Sequence, residues 1–343
     1  MKAICIHTLA PKGGLKDEFK IQDFPLPHPG QGQVRVKVVY TAINIDDIRI
    51  AEGRFPVPGH QIDPGADNPY IPGHDFVGVV DTVGTDITRL KIGDRVYGQG
   101  DGSWSEYCIA EEQTTGIVPD GWSMQQAVSY VMGAAVAKAA IDKLKDFEGK
   151  TGLIIGASGS IGNVALQYLV QNNATVWAVC SGRNEASVRE LGAQKVFDYT
   201  KGPFEEQILN GESKVDFVID FVGGKETEQA AYKVIKRGGQ FVTAVGPTNF
   251  SKDIDVSTWG MIRVAGYLAW RIFLKPRFIR PKYSFATMPA KPDFKVPPLG
   301  ENIEAMVDSE HAFDKAGVAN AIERVMSHRA AGKVLVKIGN EAL

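Results

Sequence analysis

Residues 152–162 have the sequence GLIIGASGSIG, a short apolar run followed by three glycines at a spacing of three. The apolar run predicts a buried strand, and the segment from Ile161 to Asn172 predicts a helix. Between them, Gly156, Gly159 and Gly162 would allow a tight turn, a close approach of the backbone to a pyrophosphate and close packing of helix on strand. The free N–H groups at the start of the helix would then face the phosphates.

Glycine triplets also occur in purely structural turns, so the surrounding elements decide between the two interpretations. Here a strand precedes the turn, a helix follows it, and the next strand is predicted at Thr175–Val179. This context favours a dinucleotide-binding site. The residues of the turn that we expect to contact the cofactor are Gly156, Ser158, Gly159, Ser160, Ile161 and Gly162.

Strands and helices alternate on both sides of this turn. The Ala-rich segment Met124–Leu144 predicts a helix, and Glu185–Leu191 predicts another. Further strands are predicted at Lys195–Asp198, Val215–Asp220 and Gln240–Val245. Such an alternation, with a repeat of roughly 20–25 residues, is typical of a doubly wound parallel sheet.

The first part of the chain, to about residue 115, is instead rich in β-strand signals. Residues 33–40 alternate in polarity, and Phe76–Val80 and Asp94–Gly98 are short runs bounded by glycines. The Pro- and Gly-rich segment Phe55–Gly73 predicts a long surface loop. Near the C-terminus we expect strands at Tyr283–Met288, Ala305–Val307 and Val334–Ile338 and a helix at Val318–Ser327.

The choice of cofactor depends on the end of the second strand, where NAD-binding proteins place an Asp or Glu about 20 residues after the glycines. This chain has Ser181 and Arg183 there and no carboxylate, while Tyr199 follows the next predicted strand. A hydroxyl, a guanidinium and a phenol can bind the 2′-phosphate of NADPH. A lone arginine is more often a solvated surface residue, but the missing acid favours NADPH.

The composition excludes several classes of protein. With 38 Lys and Arg against 40 Asp and Glu, the net charge of −2 gives no reason to expect nucleic acid as a partner. Cys5, Cys108 and Cys180 lie far apart, which argues against a zinc ribbon or a disulfide framework. No apolar run reaches the roughly 18 residues of a membrane span, and the first residues lead directly into a strand-like run. We therefore expect a cytoplasmic protein without a membrane span.

Besides the glycine turn, the chain carries six short motifs, which are Ala42–Asp47, Pro72–Val80, Ile92–Val96, Leu191–Ala193, Asp220–Gly224 and Ala331–Val334. In this order they resemble the medium-chain dehydrogenase/reductase superfamily, specifically its zinc-free quinone oxidoreductase branch, which includes zeta-crystallin-like proteins. The resemblance runs from Met1 to about Val245 and resumes at Asp308–Ile338.

The resemblance implies an α/β fold with two domains. A GroES-like β-barrel catalytic domain would comprise residues 1–124 and be completed by residues 290–343, and a Rossmann domain with a doubly wound parallel sheet would comprise residues 125–289. The active site would lie in the cleft between them. The resemblance also implies a homodimer. Further cofactor contacts that it implies are Asn44, Val222, Val245, Gly246 and Lys333.

Zinc-dependent members of the superfamily hold a catalytic zinc with a Cys, a His and a second Cys. At the matching positions this chain has Asn44, His74 and a site near Met132. A catalytic zinc needs three good ligands, so we expect no metal in this chain. His74 is then expected to be a hydrogen-bonded residue, with Asp47 or Asp75 as its partner.

Without zinc, no Lewis acid polarises an alcohol or a simple ketone. Quinones and carbonyl-conjugated alkenes can accept hydride because delocalisation spreads the developing charge, and the protein then mainly orients the reactants. We therefore predict NADPH-dependent reduction of a quinone or of the C=C bond of an α,β-unsaturated carbonyl. Two alternatives stay open: a zinc-type alcohol dehydrogenase with atypical ligands, and a non-catalytic NADPH-binding protein.

Three residues are candidates for contact with the hydride acceptor. Asn44 would bind the acceptor oxygen or the amide of the cofactor. Tyr40 and Tyr70 are weaker candidates for proton donors, and a packing role is favoured for each. The acceptor itself would be a small-molecule quinone or enone.

The segment Trp259–Pro281 departs from the family pattern. It is apolar and also carries Arg271, Lys275, Arg277 and Arg280. Peripheral contact with a membrane surface or with an oligomer partner is one interpretation. A buried helix with a basic end is the interpretation that we favour.

Overall fold

A computed structural model of the chain describes residues 1–55, 62–248, 258–271, 281–289 and 291–340. The chain forms two compact units. The first consists of Met1–Met132 and Ala290–Leu343, and the second consists of Gly133–Pro289. The predicted domain boundary at residue 124 marks the start of a long helix, whereas the first unit extends to Met132.

The first unit is built mainly of strands. Its strands are β1 (Lys2–Cys5), β2 (Lys20–Asp23), β3 (Gln33–Ile43), β4 (Asp75–Val83), β5 (Arg95–Asp101), β6 (Tyr107–Ile117), β13 (Val307–Ala312) and β14 (Lys333–Lys337). Its helices are α1 (Leu15–Glu18), α2 (Ile45–Ala51), the start of α3 (Met124–Ile141) and α9 (Lys315–Met326).

Strand β3 organises this unit. It pairs antiparallel with β4, β6 and β14, and β5 joins β4 to β6, so that β3 to β6 close into a barrel. The alternation in residues 33–40 places Val34, Val36 and Val38 in the core, together with Phe76. Full burial of an apolar side chain of this size contributes about 1.5–3 kcal/mol. The predicted GroES-like barrel is confirmed.

The second unit alternates strands with helices. Its strands are β7 (Thr151–Ile155), β8 (Thr175–Cys180), β9 (Lys195–Asp198), β10 (Val215–Asp220), β11 (Ile235–Thr243) and β12 (Lys282–Phe285). Its helices are the rest of α3, then α4 (Gly162–Gln171), α5 (Glu185–Glu190), α6 (Phe204–Leu209), α7 (Lys225–Val234) and α8 (Thr258–Ala269).

In the described part of the second unit, six strands form a single parallel sheet in the order β9–β8–β7–β10–β11–β12. The strand order reverses between β7 and β10, and such sheets bind ligands beyond the carboxyl ends of the strands at that point. Leu153, Val218 and Phe241, from three neighbouring strands, lie in its core. The predicted Rossmann sheet is confirmed.

Two strand predictions near the C-terminus were wrong in their bounds. The strand expected at Ala305–Val307 is β13, which begins at Val307 and pairs in parallel with β14 as far as Ala312. Its sequence VDSEHA is mostly polar and half-buried, so it lacked the apolar signal of a strand. The strand expected at Tyr283–Met288 ends at Phe285, because β11 offers pairing partners only as far as Thr243.

The prediction of a buried helix in the segment Trp259–Pro281 was only partly right. Tyr267 and Arg271 bind the buried Glu228 carboxylate, but Trp259 and Ile262 are 76% and 53% exposed. One face of α8 is therefore packed and the other faces solvent. The basic residues after Arg271, as far as Arg280, lie outside the described residues. None of the described helices has both the length and the apolar character needed to cross a membrane.

Candidate active site

The glycine turn follows β7 and leads into α4. Gly156 has a φ of +83°, a left-handed backbone conformation that favours glycine. A Cβ atom on Gly162 would lie 2.2 Å from the carbonyl oxygen of Gly156. The fold itself therefore requires both glycines for α4 to begin this close to the strand.

Gly159 differs from these two glycines. A Cβ atom there would lie 3.4 Å from the oxygen of Gly156, which is an ordinary contact. The turn does not need glycine at this position, so the open space is available to a group outside the turn. The nearly buried Ser158 hydroxyl accepts a hydrogen bond from Asn184 Nδ2 at 2.9 Å, which ties the turn to the segment after β8.

Ser181, Arg183 and Tyr199 lie just beyond the carboxyl ends of β8 and β9. These strands are neighbours in the sheet, so the three residues lie at one edge of it. Ser181 is buried, whereas Arg183 and Tyr199 are exposed. The structure thus brings together the three groups predicted to bind a 2′-phosphate.

Asp198, the last residue of β9, adds a carboxylate at this edge that was not weighed from the sequence. Its Oδ1 accepts hydrogen bonds from the hydroxyl and the N–H of Thr200 at 2.7 and 2.9 Å. These bonds, together with one from the Gly182 N–H, hold the pKa of Asp198 below its ordinary value. An ionised carboxylate therefore lies close to Ser181 and Arg183, and its charge opposes a bound phosphate.

A buried network at the carboxyl ends of β10 and β11 fixes the remaining predicted contacts of the second unit. Asp220, 1% exposed, accepts hydrogen bonds from the Val222 N–H at 2.9 Å and from the Thr243 hydroxyl at 3.0 Å. The same hydroxyl accepts from the N–H groups of Val245 and Gly246 at 3.2 and 3.0 Å. Neither Asp220 nor Thr243 was predicted as a site residue, although Asp220 begins one of the six motifs. An acid that ends an apolar strand was the available signal.

These features fit a nicotinamide dinucleotide. The glycine turn and the start of α4, with Ser160 and Ile161, offer N–H groups for a pyrophosphate, and Gly159 leaves space for it. Ser181, Arg183 and Tyr199 offer polar groups for the ribose end. Val222, Val245 and Gly246 are held at the point where the strand order reverses. The role of each residue as a cofactor contact stays a prediction.

In the first unit, Asn44 lies at the end of β3 and caps α2. The antiparallel register places Val334 of β14 opposite Ile43, so Lys333 reaches Asn44 although 289 residues separate them. Lys333 Nζ donates to Asn44 Oδ1 and lies 3.1 Å from Asp75 Oδ2. The Asn44 amide nitrogen donates to the same carboxylate oxygen at 3.0 Å.

We call Asn44, Asp75 and Lys333 the ammonium cluster. All three are buried, with exposures of 8%, 0% and 3%. A catalytic zinc does not fit here, because a buried ammonium already binds the oxygen of Asn44, at the position where zinc-dependent relatives have a thiolate. Among the described residues no group of three or more His, Cys, Asp and Glu side chains could hold a metal ion. That the protein works without a metal stays a prediction.

His74 is held by Asp47, as one of the two predicted partners. Its Nδ1 lies 2.7 Å from Asp47 Oδ1, and the other oxygen of this buried carboxylate accepts from the Asn44 N–H at 3.0 Å. Burial lowers the pKa of His74, but the bond to Asp47 and the charges of Asp47, Asp75 and Asp101 raise it overall, to about 9. His74 therefore carries a positive charge at neutral pH.

A cavity of about 680 Å³ lies within the first unit. Its polar walls include Tyr70, His74 and Asp101, and its apolar walls include Ile50, Ile62 and Ile71. Burial and the carboxylates of Asp47 and Asp101 raise the pKa of Tyr70, which therefore stays neutral. A cavity with apolar walls and a few polar groups is the usual form of a small-molecule site.

Tyr40, the other predicted proton donor, does not line this cavity. It is buried in β3, and its hydroxyl accepts a hydrogen bond from Gln125 Nε2 at 2.9 Å. The structure therefore places Tyr70 beside His74 and places Tyr40 in the packed part of the unit. The role of either tyrosine in catalysis stays a prediction.

Two families match the chain. Residues 30–139 match the family described as Alcohol dehydrogenase GroES-like domain, and residues 160–267 match the family described as Zinc-binding dehydrogenase. The first match spans strands β3 to β6 of the barrel, and the second begins at Ser160, within the glycine turn, and spans strands β8 to β11 of the parallel sheet.

Characterised proteins are similar over most of the chain. The Mus musculus protein named NAD(P)H oxidoreductase RTN4IP1, mitochondrial, is 30% identical over 331 residues, which are 89% of this chain and 82% of the relative. The Arabidopsis thaliana NADPH-dependent alkenal/one oxidoreductase, chloroplastic, is 30% identical over 247 residues, which are 68% of this chain and 60% of that protein.

Solved structures show the same fold. The quinone oxidoreductase from Coxiella burnetii superposes with a TM-score of 0.76 at 24% identity, over 99% of each chain. A mycobacterial protein solved in complex with NADPH superposes with a TM-score of 0.74 at 20% identity, over 98% of this chain and 99% of its own.

Proposed function

The chain belongs to the medium-chain dehydrogenase/reductase superfamily and is an oxidoreductase that uses a nicotinamide cofactor, and we propose that it reduces a quinone or the C=C bond of an α,β-unsaturated carbonyl. The relatives support this proposal, since they include proteins named for alkenal and enone reduction and for quinone reduction.

The observation that carries the proposal is the ammonium cluster. A bound zinc ion activates an alcohol or an unactivated ketone for hydride transfer by polarising its oxygen. Asn44, Asp75 and Lys333 fill the corresponding region with an amide, a carboxylate and an ammonium that bind one another. An acceptor whose own conjugation stabilises the added charge does not need that Lewis acid.

The residues of the second unit would hold the cofactor, and the cavity of the first unit would hold the acceptor. NADPH, when bound, supplies the hydride. The apolar walls formed by Ile50, Ile62 and Ile71 suit a flat conjugated molecule, while Tyr70 and His74 offer hydrogen-bond donors for its oxygen. Asn44 does not line the cavity, but it keeps one amide N–H beyond the one given to Asp75. We propose that this N–H binds the cofactor amide, or the oxygen of an acceptor that extends out of the cavity.

We propose NADPH as the preferred cofactor. Ser181, Arg183 and Tyr199 at one edge of the sheet support this preference, and the ionised Asp198 reduces it. A charge-assisted hydrogen bond contributes about 1.5–3 kcal/mol. We propose that a phosphate bound by Arg183 would outweigh the repulsion of the Asp198 carboxylate, whose charge is already partly offset by its hydrogen bonds to Thr200 and Gly182.

A homodimer and a cytoplasmic location are also proposals. In the described part of the second unit β12 has a partner strand on one side only, which leaves an edge to which a second copy could add. Light scattering of the purified protein tests the first proposal. Imaging of the protein in its own cells tests the second, and mitochondrial staining, the location named for the mouse relative, would contradict it.

The reaction is tested with NADPH that carries deuterium at C4, and a panel of quinones, enones and enals as acceptors. We expect deuterium on the β-carbon of an enone or enal, or a hydroquinone formed without radical intermediates. Oxidation of ethanol or a sugar alcohol, with neither acceptor class reduced, would support the atypical alcohol dehydrogenase instead. NADPH binding without turnover of any acceptor would support the non-catalytic alternative.

Two glycine variants form a matched pair in this assay, one expected to lose activity and one serving as its control. Gly162→Ala places its Cβ 2.2 Å from the oxygen of Gly156, so cofactor binding and activity should both be lost. Gly211→Ala, in the same unit, meets no atom within 4 Å and should behave as the wild type.

A further inference from the structure

His74 has one side of its ring fixed and the other open. Asp47, 1% exposed, uses one oxygen for His74 Nδ1 at 2.7 Å and the other for the Asn44 N–H at 3.0 Å. Both carboxylate oxygens are therefore engaged, so the ring can rotate little. The opposite edge of the ring carries Nε2.

The side chain that carries this edge is partly accessible and forms part of a cavity wall. His74 lines the cavity with Tyr70 and Asp101, and 34% of its side chain is exposed. Nε2 makes no hydrogen bond to any residue in the described ranges. A ring nitrogen that points away from its fixed partner, on a residue that lines a cavity with apolar walls, is well placed for a ligand oxygen.

The charges around His74 favour its protonated form. Asp47 and Asp46 come from α2, Asp75 from β4 and Asp101 from β5. Tyr70 is neutral, and the two cations of this region, Arg49 and Lys333, act on Asp46. The four carboxylates outnumber the two cations, and Asp75 already compensates the charge of Lys333. The imidazole therefore holds a proton on Nε2 that it can donate.

We propose that His74 is the proton donor of the reaction, giving its Nε2 proton to the carbonyl oxygen of the acceptor. This proposal rests on the function proposed above. The hydride brings both electrons to the acceptor, the N–H bond at Nε2 breaks, and an O–H bond forms on the enol or hydroquinone. The neutral imidazole then regains a proton from water. At the position where zinc-dependent members of the superfamily have a histidine ligand, His74 of this chain would therefore act as a proton donor.

The test uses 4-nitrophenol, whose phenolate oxygen imitates the charge that forms on the acceptor when hydride adds. The phenolate absorbs visible light and the phenol does not, so ionisation of the bound molecule is measured directly, on the full-length protein with NADP⁺ present. We expect the wild type to lower the pKa of bound 4-nitrophenol by about 1 unit or more, because an opposite charge at hydrogen-bond distance favours the anion.

Two variants of His74 distinguish the role of Nδ1, which is bound to Asp47, from the role of Nε2. His74→Asn keeps a donor near the Nδ1 position for Asp47 and has nothing at Nε2, so it should fold and leave the pKa of 4-nitrophenol unchanged. His74→Gln keeps an uncharged N–H near Nε2 and should bind 4-nitrophenol with little change in its pKa. His7→Gln is the control, because His7 lies in the same unit, binds Gln22 at 2.8 Å and does not line the cavity.

Turnover adds a second readout. His74→Asn should lower kcat by about 10²–10⁴-fold, the usual contribution of a positioned acid, and His7→Gln should not. Wild-type protein that leaves the pKa of 4-nitrophenol unchanged, or that does not bind it, would overturn the proposal, as would a His74→Asn variant that behaves like the wild type. If instead no quinone or enone accepts deuteride while the nitrophenol result holds, the proposed function fails and the donor site stands.

Discussion

At the scale of single residues, cofactor choice depends on Arg183. Arg183→Ala should weaken NADPH binding roughly 10- to 100-fold, corresponding to one charge-assisted hydrogen bond, and should leave NADH binding nearly unchanged. Fluorescence titration with both cofactors measures this. Arg189→Ala is the matched control, because Arg189 lies on the neighbouring α5 and pairs with Glu185 at 2.8 Å. An equal loss for both cofactors would show that Arg183 does not bind the 2′-phosphate.

The imidazole of His74 gives the stability of the protein a pH dependence. Its pKa is raised to about 9 in the folded protein from an ordinary 6.5, so the folded state binds the proton more tightly than the unfolded state. This contribution to stability is complete below pH 6.5 and is lost as the pH rises through 9. About 1 kcal/mol is expected after allowance for the third of the side chain that solvent reaches.

Urea unfolding at pH 6 and at pH 9.5 measures this change. The wild type should lose stability between the two values, and His74→Asn, which has no titrating group there, should lose less. Identical losses in both proteins would mean that another group carries the pH dependence.

At the scale of secondary-structure elements, β14 carries a buried charge to β3. Lys333→Met leaves the Asp75 carboxylate without its cation in a fully buried site, and such a change costs about 3–5 kcal/mol. Lys337→Met, at the exposed end of the same strand, is the control and should cost little. Chemical denaturation measures the free energy of unfolding of the two variants. If both lose the same small amount of stability, the ammonium cluster does not stabilise the unit.

The conformation of the loops after β10 and β11 depends on the hydrogen bonds of one buried acid, Asp220. Asp220→Asn should weaken the hydrogen bonds that position Val222 and, through Thr243, Val245 and Gly246. Binding of NADPH and NADH should fall by a similar factor, because these contacts do not involve the 2′-phosphate. Fluorescence titration with both cofactors, as for Arg183→Ala, measures this fall in affinity. A loss of affinity restricted to NADPH would contradict the proposed role of Asp220.

The sequence predicted those parts of the site that are local in the chain. The glycine turn, its strand and its helix lie within about 20 residues, so their spacing alone indicated the geometry. The contact between Asn44 and Lys333 was not predictable as a hydrogen bond, because it depends on the register of two strands separated by 289 residues. The sequence analysis predicted that both residues contact the cofactor, but not that they contact each other.

The burial of individual side chains explains why the sequence analysis missed other features of the structure. Asp198 and Asp220 are acids at strand ends, where an acid is most often solvated, and only the packing of neighbouring strands shows that each binds backbone N–H groups. The solvent-facing apolar side of α8 was missed for the opposite reason. An all-round apolar sequence predicts burial, yet Trp259 remains 76% exposed.

At the scale of the whole molecule, the purified protein should contain no stoichiometric zinc. Elemental analysis by mass spectrometry measures the content, and treatment with a chelator should leave reductase activity intact. Activity that is lost with the chelator and restored by zinc would mean that Asn44 and Lys333 rearrange to admit a metal, and it would reinstate the alcohol dehydrogenase alternative.

The first unit is assembled from both ends of the chain, and this affects its synthesis on the ribosome. The residues of the Rossmann sheet emerge as one continuous segment, whereas the barrel waits for β14, which supplies Lys333 and follows the whole of that sheet in the chain. Until then the Asp75 carboxylate lacks its cation, and β3 lacks one of its partner strands. Until β14 is synthesised, a nascent chain should therefore expose an unfinished β-edge, which makes it a substrate for chaperones that shield such edges.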